Sequence, residues 1–442
     1  MLKKHWKAAL LCCGLVALSA CETSRRDNAI SNDDASIFLE IKQPVDLQQL
    51  HAERPGDAQV NALLASQKSM PDQEVRLVQA RPAAIKADTK LLSVQLSDGQ
   101  VVQFQQRRSS EKDASESYWF GDIVSDRKQR FSSAKEVDVD PMEWISISRY
   151  GERLVGSIHV RGNTYQLASV GDGRQLAIKN TRALALECKP LVEDLDQGQA
   201  AEVLSKSNAS QSVIRVLVVS TTDARLFDID VEKEMRHALE TATSIYQSSG
   251  VNVRFEYAQH VPAIYSEAVR LRNMENILRD FRNPETLIGL LVDERRTTNQ
   301  ADIVLVVTSP YLSWGKTYRQ ARKDAAFALI PASAGGFFEE TVIHQIAHLF
   351  GASHGWYPGD PIAPSLQYRH GYTGVSSLGK FSTIMAHGDC NLIKPCDSGP
   401  LLVHRFSDPN AQYNGAPMGT EENNNVVRLL NEQRERISNF YP

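Results

Sequence analysis

The chain has 442 residues, a length that favours two or three domains over one. Hydrophobic residues make up 42% of it, enough for sizeable cores and too many for wholesale disorder. Lys plus Arg number 49 against 53 Asp plus Glu, a net charge of -4 without the basic excess of a nucleic-acid binder, and no apolar stretch after the first turns of chain is long enough for a helical membrane span.

Lys3, Lys4 and Lys7 precede an apolar core from Ala8 to Ala17, which reads as a signal peptide over residues 1–20. Leu18-Ser19-Ala20-Cys21 resembles a bacterial lipobox, in which Cys21 would carry lipid and become the first residue of the mature chain. The alternative is an ordinary secretory signal with a Cys at that place. By the same resemblance, Glu22 points to the outer membrane of a Gram-negative cell, so the expected location is the cell envelope, lipid-anchored, or the exterior. That compartment is oxidising. Cys12 and Cys13 leave with the signal, Cys390 and Cys396 are the natural disulfide pair, and Cys188 is left over.

Residues 21–72 are polar and read as a tether with one short helix. Residues 73–188 read as a β-rich domain. Leu92, Val94 and Leu96 alternate ahead of the Ser97-Asp98-Gly99 turn, Ile145 and Ile147 ahead of Tyr150-Gly151, and Ile158 and Val160 ahead of Arg161-Gly162-Asn163, the pattern of an antiparallel meander. Residues 189–212 look like a linker. From 213 the texture becomes strand–helix–strand: Val213–Val219 is a buried strand, Val231 to Tyr246 a helix stopped at Gly250, Val251–Phe255 and Ile303–Val307 strands, and Ala326–Ile330 an edge strand. Such alternation predicts an α/β layer.

The run Thr341-Val342-Ile343-His344-Gln345-Ile346-Ala347-His348-Leu349-Phe350-Gly351-Ala352-Ser353-His354 carries the chemistry. On a helix, His344 and His348 point the same way one turn apart, while Val342, Ile346 and Leu349 face the core. Gly351 can end the helix and swing the chain back, so that His354 arrives as a third nitrogen. Three protein ligands with one open position describe a catalytic zinc site. Chance supplies this spacing around one of the 11 histidines about 4 times in 10,000.

These residues resemble the metzincin metallopeptidases, whose pattern is HExxHxxGxxH followed by a methionine turn. Ser382-Thr383-Ile384-Met385-Ala386 resembles that turn, Arg405-Phe406-Ser407-Asp408-Pro409 resembles a run found in reprolysin-like (adamalysin-type) bacterial members, and Asn425–Phe440 resembles their C-terminal helix. The likeness covers residues 213–442, and the meander around Tyr118-Trp119-Phe120-Gly121 weakly resembles the propeptide region. The resemblance implies an α+β or α/β fold class: a metzincin-like catalytic domain, with a mixed twisted sheet plus helices and Zn2+ in a cleft, preceded by an antiparallel β propeptide-like domain.

One departure bears on activity. The family has Glu where this chain has Gln345, and Gln cannot accept the proton of a metal-bound water. That role is typically worth 10²–10⁴-fold. His387, two residues after Met385, is a candidate auxiliary acid, base or ligand, or else a plain wall residue. His370 and His404 read as background, either solvated or structural histidines. Cys188 is either a thiolate latch on the open zinc position or an idle thiol. Two readings follow. The first is a lipid-anchored monomeric zinc metalloendopeptidase, weakened by Gln345 and acting on proteins or peptides. The second is a zinc-binding pseudo-peptidase that grips proteins without cutting them.

Overall fold

The computed structural model describes residues 37–57, 60–61, 63–64, 73–130, 132–133, 137–170, 173–180, 190–191, 210–227, 230–310, 315–332, 338–356, 362, 364–386 and 400–442. Cys21, Cys188, His387, Cys390 and Cys396 lie outside the described residues, as do the signal segment and nearly all of the linker.

Nine strands close into a barrel: β1 (Ile37–Pro44), β2 (Glu74–Ala80), β3 (Leu91–Gln95), β4 (Val101–Asp113), β5 (Glu116–Val124), β6 (Val139–Tyr150), β7 (Arg153–Val160), β8 (Asn163–Ser169) and β9 (Gln175–Asn180). Strands β3 to β9 form the meander that the alternation predicts. Closure comes from β1, which pairs antiparallel with β2 (Leu39 opposite Ala80) and parallel with β3 (Leu39 opposite Val94). The short helix α1 (Leu47–Glu53) follows, capped by the Asp46 side chain. The period of two sorts the side chains of β5 and β6. Trp119, Ile145 and Ile147 fill the barrel, and the Trp119 indole donates to Thr89 O at 2.7 Å. Tyr118, Phe120 and Trp144 point outward into the main core.

The remaining strands form separate sheets. Strands β10 (Ser212–Ser220), β11 (Val253–Pro262), β12 (Ile303–Thr308), β13 (Lys316–Thr317) and β14 (Phe327–Pro331) are ordered β11-β10-β12-β14-β13, parallel except for β13. Strands β15 (Thr373–Ser376), β16 (Gly379–Thr383) and β17 (Leu401–Val403) form a small mixed sheet, and β18 (Asp408–Tyr413) and β19 (Ala416–Met418) a hairpin. Helices α2 (Val231–Ser248), α3 (Met274–Arg282), α4 (Leu287–Thr298), α5 (Phe338–Phe350) and α6 (Val426–Ser438) complete the chain.

The fold class expected from the sequence is therefore corrected. The largest sheet is a closed nine-strand barrel accompanied by several mixed sheets, not a metzincin-like helix-plus-sheet catalytic domain preceded by a propeptide-like domain. The physical reason lies in the stretch read as a polar tether. Its Phe38, Leu39 and Ile41 are buried in the barrel core, so the two free edges of the meander, β3 and β9, meet through β1 and β2. Strand β14 is also not an edge, because β13 covers it.

The barrel's outer face packs on α2 through a polar seam. The Tyr118 and Ser244 hydroxyls meet at 3.0 Å, Ser146 and Thr241 at 2.7 Å, and Ser148 meets His237 Nδ1 at 2.9 Å. Each buried polar atom there has its partner on the other element, which gives the contact a single register.

Candidate metal centre

Helix α5 is apolar enough to be buried on every side, and all 13 of its residues are buried. It lies between β14, α2 and α6, with Tyr246 donating to Ile343 O at 3.2 Å. At its end Gly351 takes φ +111°, a conformation that L side chains rarely adopt. The reversal is pinned by Gly351 N to His348 O at 2.8 Å and Ala352 N to Ala347 O at 3.0 Å. The next residues bring His354 back over the helix. Its carbonyl accepts from His370 Nδ1 at 2.8 Å, so His370 is a structural histidine that supports the ligand loop.

The three histidines converge as the spacing predicts. His344 Nε2 lies 3.0 Å from His348 Nε2 and 3.1 Å from His354 Nε2, and the last two are 3.2 Å apart. His344 donates through Nδ1 to Ile384 O at 3.3 Å, and His348 through Nδ1 to Ala352 O at 2.7 Å. Both carbonyls hold the proton on Nδ1 and leave the Nε2 lone pairs facing inward. Burial pushes the His348 imidazole well below its usual pKa, and burial with the Arg319 charge lowers that of His354 to about 4. His348 and His354 are thus neutral at pH 7 and ready to ligate. Nitrogens 2.0–2.1 Å from a tetrahedral zinc lie about 3.3–3.4 Å apart, so the residues present fit that ion.

Met385 is fully buried in the turn Ile384–Ala386, whose carbonyl at Ile384 orients His344. Gly371 allows this turn to come close: a Cβ there would lie 2.1 Å from Ala386 N. Gln345 is fully buried beside Gly315, where a Cβ would stand 3.0 Å from its amide nitrogen.

Sequence reasoning missed two carboxylates on the first turn of α5. Glu339 accepts from Ser157 Oγ at 3.1 Å and faces His237 Nε2 at 3.3 Å, and Glu340 faces His404 Nε2 at 3.2 Å. Of the two readings of His404, solvated or structural, its burial and its Glu340 partner fit the structural one. The available signal was the i, i+4 row Glu340, His344, His348, which places a carboxylate one turn ahead of the first histidine.

Curated relatives of this chain carry the name peptidyl-Asp metalloendopeptidase. The protein from Xanthomonas campestris pv. campestris is 26% identical over 374 residues, 83% of this chain and 85% of that one. One from Stenotrophomonas maltophilia is 24% identical over 86% of this chain and 88% of its own. One from Pseudomonas aeruginosa is 25% identical over 55% of this chain and 43% of its own. No family model matches the sequence. Among solved structures, a chaperone–substrate complex aligns at TM-score 0.41, with 12% identity over 67% of this chain and 40% of that one. Metalloproteinase-II from Bacteroides fragilis aligns at 0.35, with 11% identity over 61% of this chain and 83% of that one. The sequence relatives make this chain a homologue of metallopeptidases.

Proposed function

We propose that the chain is a metalloendopeptidase whose zinc is held by His344, His348 and His354, with Gln345 in the general-base position. The observation that carries this reading is the convergence of three imidazole nitrogens within 3.0–3.2 Å, with His344 and His348 each held through Nδ1 on a backbone carbonyl. The site pattern, with Gly351 ending the helix and Met385 beneath it, supports a metzincin-type ligand arrangement on a fold that differs from the expected one. Zinc at such a site supplies Lewis-acid polarisation of a peptide carbonyl and a bound water of lowered pKa. The chain's own residues do the rest. The Ile384 and Ala352 carbonyls keep two imidazoles in the ligating tautomer. Gln345 can hydrogen-bond a water or carbonyl oxygen but cannot take a proton. Arg319, which donates to Ser353 Oγ at 3.2 Å, places a positive charge near His348 and His354, and the aspartate in the relatives' name makes an aspartate-containing peptide the substrate to test. Cys21 is the proposed lipid attachment point, holding the protein in the cell envelope.

The test is cleavage of a quenched fluorescent peptide containing aspartate by zinc-loaded wild type, Gln345→Glu and His348→Ala. A gain of about 10²–10⁴-fold in Gln345→Glu is expected, with no cleavage by His348→Ala. No cleavage by any variant, or equal cleavage by His348→Ala, refutes the reading. The buried Gln345 also favours a second reading, in which the natural chain binds peptides without cutting them. That reading holds if the wild type binds the peptide and only the Glu variant cleaves it.

A further inference from the structure

Behind the histidine triad lies a second convergence, built from three distant parts of the chain. His159 comes from β7, Glu340 from the first turn of α5, and His404 from the residue after β17. Each is buried, at 5%, 5% and 4% exposure. His404 Nε2 stands 3.2 Å from Glu340 Oε1, and His159 Nε2 stands 3.6 Å from the same oxygen. One ligand atom from each of the three lies within 4.8 Å of the others.

Two features set this cluster apart from an ordinary buried ion pair. His159 spends its other nitrogen on the Thr164 hydroxyl at 3.0 Å, which aims Nε2 at Glu340, where it finds no hydrogen-bond partner. Glu340 Oε2 is buried and lacks a hydrogen-bond partner as well. Buried polar atoms left in this way are rare in folded proteins and point to an ion or water. The spacings of 3.2 and 3.6 Å bracket the tetrahedral edge of about 3.3–3.4 Å expected for zinc bonds of 2.0–2.1 Å. Two imidazoles and one carboxylate are a zinc ligand set, and a single cation would satisfy both unpaired atoms. The Trp144 ring closes one wall, 4.0 Å from the His159 ring and 5.3 Å from that of His404.

We propose that His159, Glu340 and His404 bind a second divalent cation, zinc, which staples the barrel to α5. With the unpaired Glu340 Oε2 as the fourth donor beside Oε1 and the two imidazoles, the ion has no open position, and the burial of all three residues makes it structural. It cross-links three chain regions that are far apart in sequence. Glu340 lies one turn before His344, so the staple also fixes the rotation of the helix that presents His344 and His348. This inference does not depend on peptidase activity.

The experiment is metal content by mass spectrometry on the full chain, saturated with zinc and gel-filtered. Wild type is expected to carry two zinc ions, His348→Ala one, and His404→Ala and Glu340→Gln one each. One ion in the wild type and none in His348→Ala overturns the proposal, as do two ions retained in both His404→Ala and Glu340→Gln. One ion in the wild type that survives His348→Ala supports the second site and counts against the triad. A wild type without zinc overturns both sites. If the His404 and Glu340 variants fail to fold, the wild type and His348→Ala decide. Cobalt loading of His348→Ala adds a visible absorption band of a tetrahedral ion if the buried cluster binds metal, and none if it holds only protons.

Discussion

Gly371 tests whether the triad depends on the turn beneath it. Its φ lies outside the left-handed region, so Ala costs nothing there in backbone conformation; the constraint is space. A Cβ would stand 2.1 Å from Ala386 N, 2.3 Å from Met385 C and 2.7 Å from Ala386 Cα, where ordinary contacts are 3.4–4 Å. Backbone must therefore move by about 1 Å. Gly371 itself is held by its N–H on Ser353 O at 3.1 Å and by Asn424 Nδ2 on its carbonyl at 2.6 Å, so the Met385 turn yields. That turn carries the Ile384 carbonyl that orients His344. Overpacking of this kind costs about 1–3 kcal/mol, and backbone on the receiving side puts Gly371→Ala at the upper end. Disturbing a ligand's supporting partner lowers metal affinity about 10–100-fold. The control is Gly379→Ala, at φ +107° with nothing within 4 Å, which pays only the left-handed strain of about 1 kcal/mol. Zinc affinity is read by competition with a chelating dye, and stability by urea unfolding with and without zinc. Wild-type affinity in Gly371→Ala, or a larger loss in Gly379→Ala, refutes the close-approach argument.

Two further outcomes follow from burial. In metal-free protein the His354 imidazole titrates at about 4, against an ordinary 6.5, chiefly because of burial. The unfolded chain then takes the proton first, so stability falls as pH drops from about 6.5 to 4, by on the order of 2–3 kcal/mol; urea midpoints of chelator-treated wild type and His354→Asn across that range should differ in slope, and equal slopes refute the assignment. Leu39 is fully buried where β1 closes the barrel, so Leu39→Ala should cost about 2–5 kcal/mol of unfolding free energy, whereas a tether residue would cost almost nothing.

What the sequence made legible follows from the range of the interactions involved. In β3, β6, β7 and β8 the barrel-facing residues recur at a period of two, as Leu92 and Val94, Ile145 and Ile147, Ile158 and Val160, and Tyr165 and Leu167. Strand β1 does not follow suit: its register shifts between Ile37 and Leu39, so Phe38 and Leu39 are buried side by side and the period of two is lost. Strand β13 has two residues, too few for any period. The histidine triad was legible because helix geometry and one glycine turn make it local. The partners of Glu339 and Glu340 were not, because Ser157, His159, His237 and His404 meet them only after the barrel, α2 and the small sheet have packed together. Local spacing carries no trace of such long-range pairing.

Those same carboxylates frame the meaning of Gln345. Buried charge is costly unless it is paired, and α5 already buries Glu339 and Glu340 in its first turn. Glu339 is matched by His237 and Ser157; Glu340 has His404 and, in the proposed staple, a cation. A third carboxylate at 345, fully buried, would share the helix with both and would have no compensating charge until a cation sits at the triad. Gln345→Glu is therefore expected to destabilise the metal-free protein and to lose that penalty on zinc loading. Its zinc-induced rise in urea midpoint should exceed that of the wild type, because the ion adds a charge interaction to the ligation energy. An equal rise in both proteins would mean that residue 345 does not feel the triad ion, and a general base at that position would then lie too far from the metal to work.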